Sequence, residues 1–246
     1  MPRIKAITFD LWETLIADST VQNDLRTEYR VAKTVQLLLS IGVAVDISDL
    51  YAAHEEVWRR CEEMWDRAVD LPFPDQIRLF LDLARPGLAA SLPRAAVDQI
   101  GQVYADAVLH YPPGLIPETA DALRALRKKR YRLGLICNTG RSPGFILREM
   151  LEKFGILKRF NLALFSDETI VRKPDPAIFR LALKELKAEP SEAIHVGDSP
   201  ENDVRGAIAA GLQAVWIRKP GAPEPECLAS VDSVAELPAV LEALEN

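Results

Sequence analysis

Polar and apolar positions alternate with two different textures along this chain. Residues 4–10, "IKAITFD", read as a buried strand that ends in an acid. From about residue 17 to 110 the spacing becomes helical. "VQNDLRTEYRVAKTVQLLLS" places apolar side chains at Val21, Leu25, Val31, Val35 and Leu38, and "SDLYAAHEEVWRRCEEMWDRAV" places them at Leu50, Val57, Cys61, Met64, Trp65 and Ala68. Ser91 is positioned to N-cap a third helix through about His110, with Pro93 tolerated in its first turn. No convincing strand interrupts this stretch.

After "YPPG" strands and helices alternate. A helix over about Pro117–Arg130 leads to the strand "YRLGLICN", and one near Pro143–Phe154 leads to "LALFSD". Asp175 and Pro176 open the next helix as N-cap and first helical residue, followed by the strand "AIHVGD". A helix over Pro200–Ala210 stops at Gly211, the strand "LQAVWI" follows, and after the turn "KPGAPEPE" a last helix opens with Ser233 and Glu236 in capping-box spacing. This order predicts an α/β fold: a parallel sheet with helices on both faces, built from residues 1–16 and 111–246, plus an all-helical domain over 17–110.

Composition narrows the function. Thirty basic against 36 acidic residues leave a net charge of −6, which argues against a nucleic-acid partner. The densest basic run, Arg127–Arg130, falls where cations complement a helix C-terminus. Three cysteines without CxxC spacing point to a reducing compartment rather than to disulfides or zinc. The longest apolar stretch, around "VQLLLSIGVAV", is too short to span a bilayer, so the expectation is a cytoplasmic protein with no membrane contact. Oligomeric state is not legible.

In sheets of this kind ligands bind beyond the carboxyl ends of the strands. Asp10, Cys137–Asn138, Ser166–Asp167 and Asp198 all fall there; Lys173 lies on a loop held extended by Pro174, and Asp203 in the helical turn after Asp198. Each has a plain structural role available: helix-end acid, turn former, solvated lysine. Asp10 fits least well, because an acid ending a buried apolar strand needs a partner. Together they place three negative charges at one edge, which a divalent cation and Lys173 offset. Hard oxygen ligands favour Mg²⁺, and a cation beside a carboxylate makes an anion site suited to phosphate.

"FDLWETL", "LICNTG", "VRKPDP" and "HVGDSPENDVRGAIAAG" resemble, in order and spacing, the four motifs of the haloacid dehalogenase-like (HAD) hydrolase superfamily. The resemblance covers about residues 4–15 and 112–217. It implies a Rossmann-like core with a helical cap inserted after the first strand. By the same resemblance Asp10 is the nucleophile that forms a covalent intermediate, and Lys173 neutralises it and the substrate anion. Asp198 and Asp203, with Asp10 and the backbone carbonyl of Trp12, hold the metal. The phosphate-binding hydroxyl of the second motif falls on Cys137, with Asn138 following and Thr139 placed to stand in for it.

The departure at Trp12 matters most. Phosphatases of the family carry a second aspartate there to protonate the leaving group and then activate water; tryptophan can do neither. His54, Glu55, Glu56 and Glu13 are candidate replacements. The expected activity is that of a Mg²⁺-dependent phosphatase acting through an aspartyl phosphate on a small phosphorylated metabolite. A metal-independent 2-haloacid dehalogenase, which also lacks the second aspartate, is the alternative, and a catalytically weak phosphate-binding protein is a third reading. Specificity is assigned to the helical cap. Arg141 is either an anion contact or a solvated turn residue, and Trp58 and Trp65, seven apart, form one helix stripe.

Overall fold

A computed structural model describes residues 3–245 of the chain. The strands are β1 (Ala6–Phe9), β2 (Ile16–Ala17), β3 (Gly114–Leu115), β4 (Arg132–Cys137), β5 (Leu162–Phe165), β6 (Ala193–Gly197), β7 (Gln213–Ile217) and β8 (Ala229–Val231). The helices are α1 (Thr20–Ser40), α2 (Ile47–Trp65), α3 (Phe73–Ala84), α4 (Leu88–Ser91), α5 (Arg94–His110), α6 (Thr119–Lys128), α7 (Gly144–Lys153), α8 (Ser166–Thr169), α9 (Pro176–Leu186), α10 (Gly206–Ala209) and α11 (Leu237–Glu245). Among the described residues no helix is long and apolar enough to cross a membrane.

The chain forms two compact units. The first runs to Asp18, resumes at Gly114–Asn138 and continues from Leu151; the second comprises Ser19–Pro113 and Thr139–Met150.

The first unit is a Rossmann-like α/β layer. Its six strands are all parallel, in the order β5-β4-β1-β6-β7-β8, and β2 and β3 pair separately as a short antiparallel ribbon. Strands covered on both faces need unbroken apolar runs, and β1 and β6 are buried at every position. On one side α9 and α10 bring Ile178, Phe179, Leu183, Leu186 and Ala207 against Ile136 and Trp216. Parallel pairing holds β1 between β4 and β6, with Ala6 opposite both Arg132 and Ala193. The three central strands therefore end side by side, at Phe9, Cys137 and Gly197.

The second unit is helical, and its buried faces differ from the expected stripes in instructive ways. On α1, Val21 is 65% exposed, while Arg26, Arg30 and Thr34 are buried beside Val31 and Leu38. The guanidinium of Arg30 explains the inversion: its Nε donates to the Tyr104 carbonyl (3.0 Å) and its Nη2 to Ser142 Oγ (3.2 Å), and its plane lies over the Tyr104 ring. Satisfied in this way, a cation can occupy a face that hydropathy assigns to leucine. Helix α3, opened by Pro74 in its first turn, and the edge strand β8 had no place in the sequence reading; both follow proline-rich turns that obscure their short apolar pattern.

Candidate active site

Asp10 directly follows β1, Asn138 follows β4 and Asp198 follows β6, so three neighbouring strands present their next residues at one sheet edge. Asp10 is tied down by its backbone, whose N–H donates to the Val196 carbonyl at 2.9 Å. Asp203 enters from the π-helical turn Pro200–Arg205. That turn folds because Ser199 N-caps it through Asn202 N–H, and the Ser199 N–H donates back to Asp203 Oδ2 at 2.9 Å. Gly197 makes room: a Cβ there would lie 2.2 Å from Asp203 Cγ.

Lys173 joins these acids. Its Nζ lies 2.5 Å from Asp10 Oδ1 and 2.7 Å from Asp203 Oδ1, and the side chain is essentially inaccessible. Two buried carboxylates around one buried ammonium form a network whose members cannot be removed singly without cost. Burial works against the charge on Lys173, but Asp10 and Asp203 outweigh it and hold its pKa above the ordinary lysine value. Burial raises the Asp203 carboxyl too, yet the ammonium of Lys173 and the bond from His195 overcome it and hold Asp203 well below the usual range. Asp10 goes the other way: burial pushes it up to about 7, against the pull of Lys173 and with the added repulsion of Asp203 and Asp198. Burial also raises Asp198, opposed by Lys219, which forms an ion pair with its Oδ2.

Behind the carboxylates runs a buried polar chain absent from the sequence reading. His195 Nε2 lies 3.1 Å from Asp203 Oδ1, and its Nδ1 lies 2.8 Å from Thr8 Oγ1. Burial lowers the His195 pKa, against the pull of Asp203, and the ring joins the Asp203 carboxylate to the Thr8 hydroxyl. The only hint in the sequence was the polar pair itself, Thr8 and His195, each inside an otherwise apolar strand; the register sets them opposite one another. Trp216 Nε1 donates to the Asp198 carbonyl at 2.8 Å and fixes that loop from β7.

The residues of the second motif take different places. Cys137 is fully buried, its thiol pushed well up by burial, and its Sγ donates to the Asn138 carbonyl at 3.5 Å. The Asn138 side chain is engaged with the backbone of Lys173 at both ends. Thr139 groups with the helical unit, where its hydroxyl donates to Asp70 Oδ2 at 3.4 Å.

Trp12 is half-buried and bridges to Ile16, and Glu13 adopts a positive φ of 56° with its carboxylate accepting from Asp18 N–H at 3.1 Å. Within the helical unit His54 is fully buried between Tyr104 Oη (2.6 Å) and Thr27 Oγ1 (3.2 Å), and burial, aided by Arg141 and Arg30, depresses its pKa to about 2. Glu56 is held at about 2 by hydrogen bonds from Arg59 and Arg60. Neither carries a proton to donate near neutrality. Glu55 is exposed and accepts from Arg141 Nη2 at 3.1 Å; the Arg141 guanidinium lies over the Trp58 ring, which meets Trp65 edge-on.

One carboxylate oxygen from each of Asp10, Asp198 and Asp203 can be chosen such that all lie within 4.8 Å of one another. All-oxygen, buried and doubly flanked by lysines, this set fits a hard divalent cation. Comparison with known proteins identifies the family. Residues 4–211 match the family model of the haloacid dehalogenase-like hydrolases. The chain belongs to that family. Over its full length the hydrolase is 30% identical to a glyceraldehyde 3-phosphate phosphatase of Pyrococcus furiosus, of which it covers 95%. It is 40% identical over 114 residues to a phosphoserine phosphatase of Thermus thermophilus, a match to 46% of this chain and only 44% of that one. Among solved structures, a 2-haloacid dehalogenase from Pseudomonas syringae pv. Tomato superposes with a TM-score of 0.70 at 25% identity, covering 98% of this chain and 99% of that one.

Proposed function

We propose that the hydrolase is a Mg²⁺-dependent phosphatase that acts through an aspartyl phosphate on a small phosphorylated metabolite. The observation that carries this reading is the buried network of Asp10, Lys173 and Asp203 with Asp198 beside it. A halide needs no such set of paired acids to leave, whereas a phosphoryl group brings negative charge that cations must offset. The phosphatase names of the two sequence relatives point the same way.

In this reading Asp10, Asp198, Asp203 and the Trp12 carbonyl would hold Mg²⁺, which supplies positive charge against the phosphoryl oxygens. Lys173 holds Asp10 in place and offsets charge on the same anion. The Asp10 carboxylate attacks phosphorus, the bond from phosphorus to the leaving oxygen breaks, and water then cleaves the acyl phosphate to regenerate Asp10. Trp12 has no proton to give the leaving oxygen. Positioned acid–base catalysis is worth roughly 10²–10⁴-fold, so acyl and aryl phosphates should react far better than alkyl esters. Specificity is assigned to the helical unit acting as a cap, and Asn138 and Thr139 are the candidate phosphate contacts of the second motif.

The dehalogenase reading is favoured by one observation, the tryptophan in place of the second acid, together with the likeness to a dehalogenase structure. The test runs both chemistries side by side: phosphate release from acetyl phosphate and p-nitrophenyl phosphate with Mg²⁺ or EDTA, and halide release from 2-chloropropionate, each with an Asp10→Asn control. Phosphate release that needs Mg²⁺ and Asp10 establishes the phosphatase. Halide release indifferent to EDTA replaces it with the dehalogenase.

A further inference from the structure

At the opposite edge of the sheet, where β1 and β4 begin, the first unit has a groove of about 480 Å³ lined by Arg3, Ile4, Lys5, Lys129, Arg130, Tyr131 and Arg132. The sheet register builds it. Ala6 pairs with Arg132, and Arg132 N–H donates to the Lys5 carbonyl at 2.9 Å, so the two approaching segments lie side by side with their cations together. Lys5 and Asp10 are separated by the length of β1, about 16 Å at ~3.3 Å per residue, so this groove is distinct from the catalytic edge.

Its charges are not matched. Lys5 pairs with Glu192 and Lys129 with Glu242. Glu192 also lies within the field of Arg132, but among the described residues no carboxylate comes within ion-pair distance of Arg3, Arg130 or Arg132. Elsewhere on the surface several arginines are paired: Arg59 and Arg60 with Glu56, Arg78 with Asp75, Arg124 with Asp121 and Arg218 with Asp232. Three guanidiniums without a carboxylate partner thus meet in one concavity, on a chain of net charge −6.

We propose that this groove binds a small polyphosphate anion, a di- or triphosphate chain held by Arg3, Arg130 and Arg132. Guanidinium forks match phosphate oxygens two at a time, and the excess charge of the groove suits a multiply charged anion rather than a single carboxylate. The overall negative charge selects for a compact ligand. An anion confined to the groove feels mainly the local cations, because fields are screened over about 8 Å at physiological salt, whereas an extended polyanion would also meet the acidic remainder. The groove's volume falls in the ordinary range for small-ligand sites.

The test is calorimetric titration of the full chain with inorganic tripolyphosphate in EDTA, comparing the unsubstituted protein, the variant Arg3→Gln/Arg130→Asn/Arg132→Gln, and Asp10→Asn. Asparagine is chosen at 130 because Arg130 has a φ of 68°, which asparagine tolerates. The expected result is one saturable site with a Kd below roughly 1 mM, weakened about tenfold or more by the arginine variant through loss of charge-assisted bonds and unchanged in Asp10→Asn. Unchanged melting temperature and acetyl phosphate hydrolysis in the arginine variant show that the fold is intact. Affinity unaltered by the arginine substitutions, affinity lost only in Asp10→Asn, or no saturation by about 10 mM would each overturn the proposal. So would tighter binding to phosphatidylglycerol vesicles than to tripolyphosphate, lost in the same arginine variant.

Discussion

Asn138 and Lys173 grip each other at two points: the Asn138 amide donates to the Lys173 carbonyl at 2.9 Å, and the Lys173 N–H donates to Asn138 Oδ1 at 2.9 Å. A side chain next to the second central strand thus imitates a strand neighbour and sets the backbone from which the Lys173 ammonium projects. In Asn138→Ala both backbone groups lose their partner, at a cost of about 1–3 kcal/mol each at most. The larger effect falls on turnover, because a misplaced Lys173 no longer aligns Asp10; acetyl phosphate hydrolysis should drop on the order of 10²-fold. Steady-state kinetics checked against a thermal melt separates the two effects.

Gly197→Ala tests the closeness of β6 to Asp203. The added methyl would sit 2.2 Å from Asp203 Cγ, so the strand or the buried, hydrogen-bonded carboxylate must shift. Loss of Mg²⁺ affinity and of hydrolysis, with a destabilisation of about 1–3 kcal/mol from overpacking, is the expected outcome. An active, fully stable variant would show the contact to be loose.

Lys173→Met leaves Asp10 and Asp203 facing one another without their shared cation. Breaking a buried ion pair from one side costs about 3–5 kcal/mol, so the metal-free variant should melt well below the parent. Added Mg²⁺ should recover more stability in the variant than in the parent, since it replaces the missing charge; differential scanning calorimetry with and without the ion measures this.

His54 gives the helical unit an acid limit. Its pKa falls from 6.5 unfolded to about 2 folded, chiefly through burial, so below pH 6.5 the unfolded chain takes up a proton that the folded one refuses. The stability this neutral ring allows is complete above 6.5 and declines as pH falls, by about 1.4 kcal/mol per pH unit. Between pH 7 and pH 5 the contribution is about 2 kcal/mol. In His54→Gln, urea unfolding should show a shallower acid decline even though the variant starts less stable.

Trp12→Asp places a carboxyl group two residues after Asp10, the proposed nucleophile. If Asp10 transfers phosphoryl groups, hydrolysis of alkyl phosphates should rise by about tenfold or more, approaching the 10²–10⁴-fold range of positioned acid–base catalysis, while acetyl phosphate gains little. Rates for the two substrate classes, measured on parent and variant, give the answer directly.

Much of the site was legible because strand ends are legible. Asp10, Asn138 and Asp198 each follow an apolar run that only a buried parallel strand explains, and Lys173 is marked by the proline after it. What they do once assembled was less so. Asn138 reads as a turn former but serves as a brace, and Cys137 and Thr139 have their polar atoms bonded to Asn138 and Asp70. Thr8 and His195 lie far apart in sequence, and only the β1–β6 register makes them the support behind Asp203.

The sequence by itself determined the alternation of strands and helices, the helical stretch between them and the identity of the acids at the strand ends, because periodicity and capping are local properties of the chain. Tertiary structure decided which groups share a charge and which are neutral. Asp10 is raised and Asp203 lowered although both are buried aspartates beside the same lysine, since His195 favours the charge on Asp203 while Asp203 and Asp198 oppose it on Asp10. Solvation and partnership in three dimensions set that difference, and neither is written in the residue type.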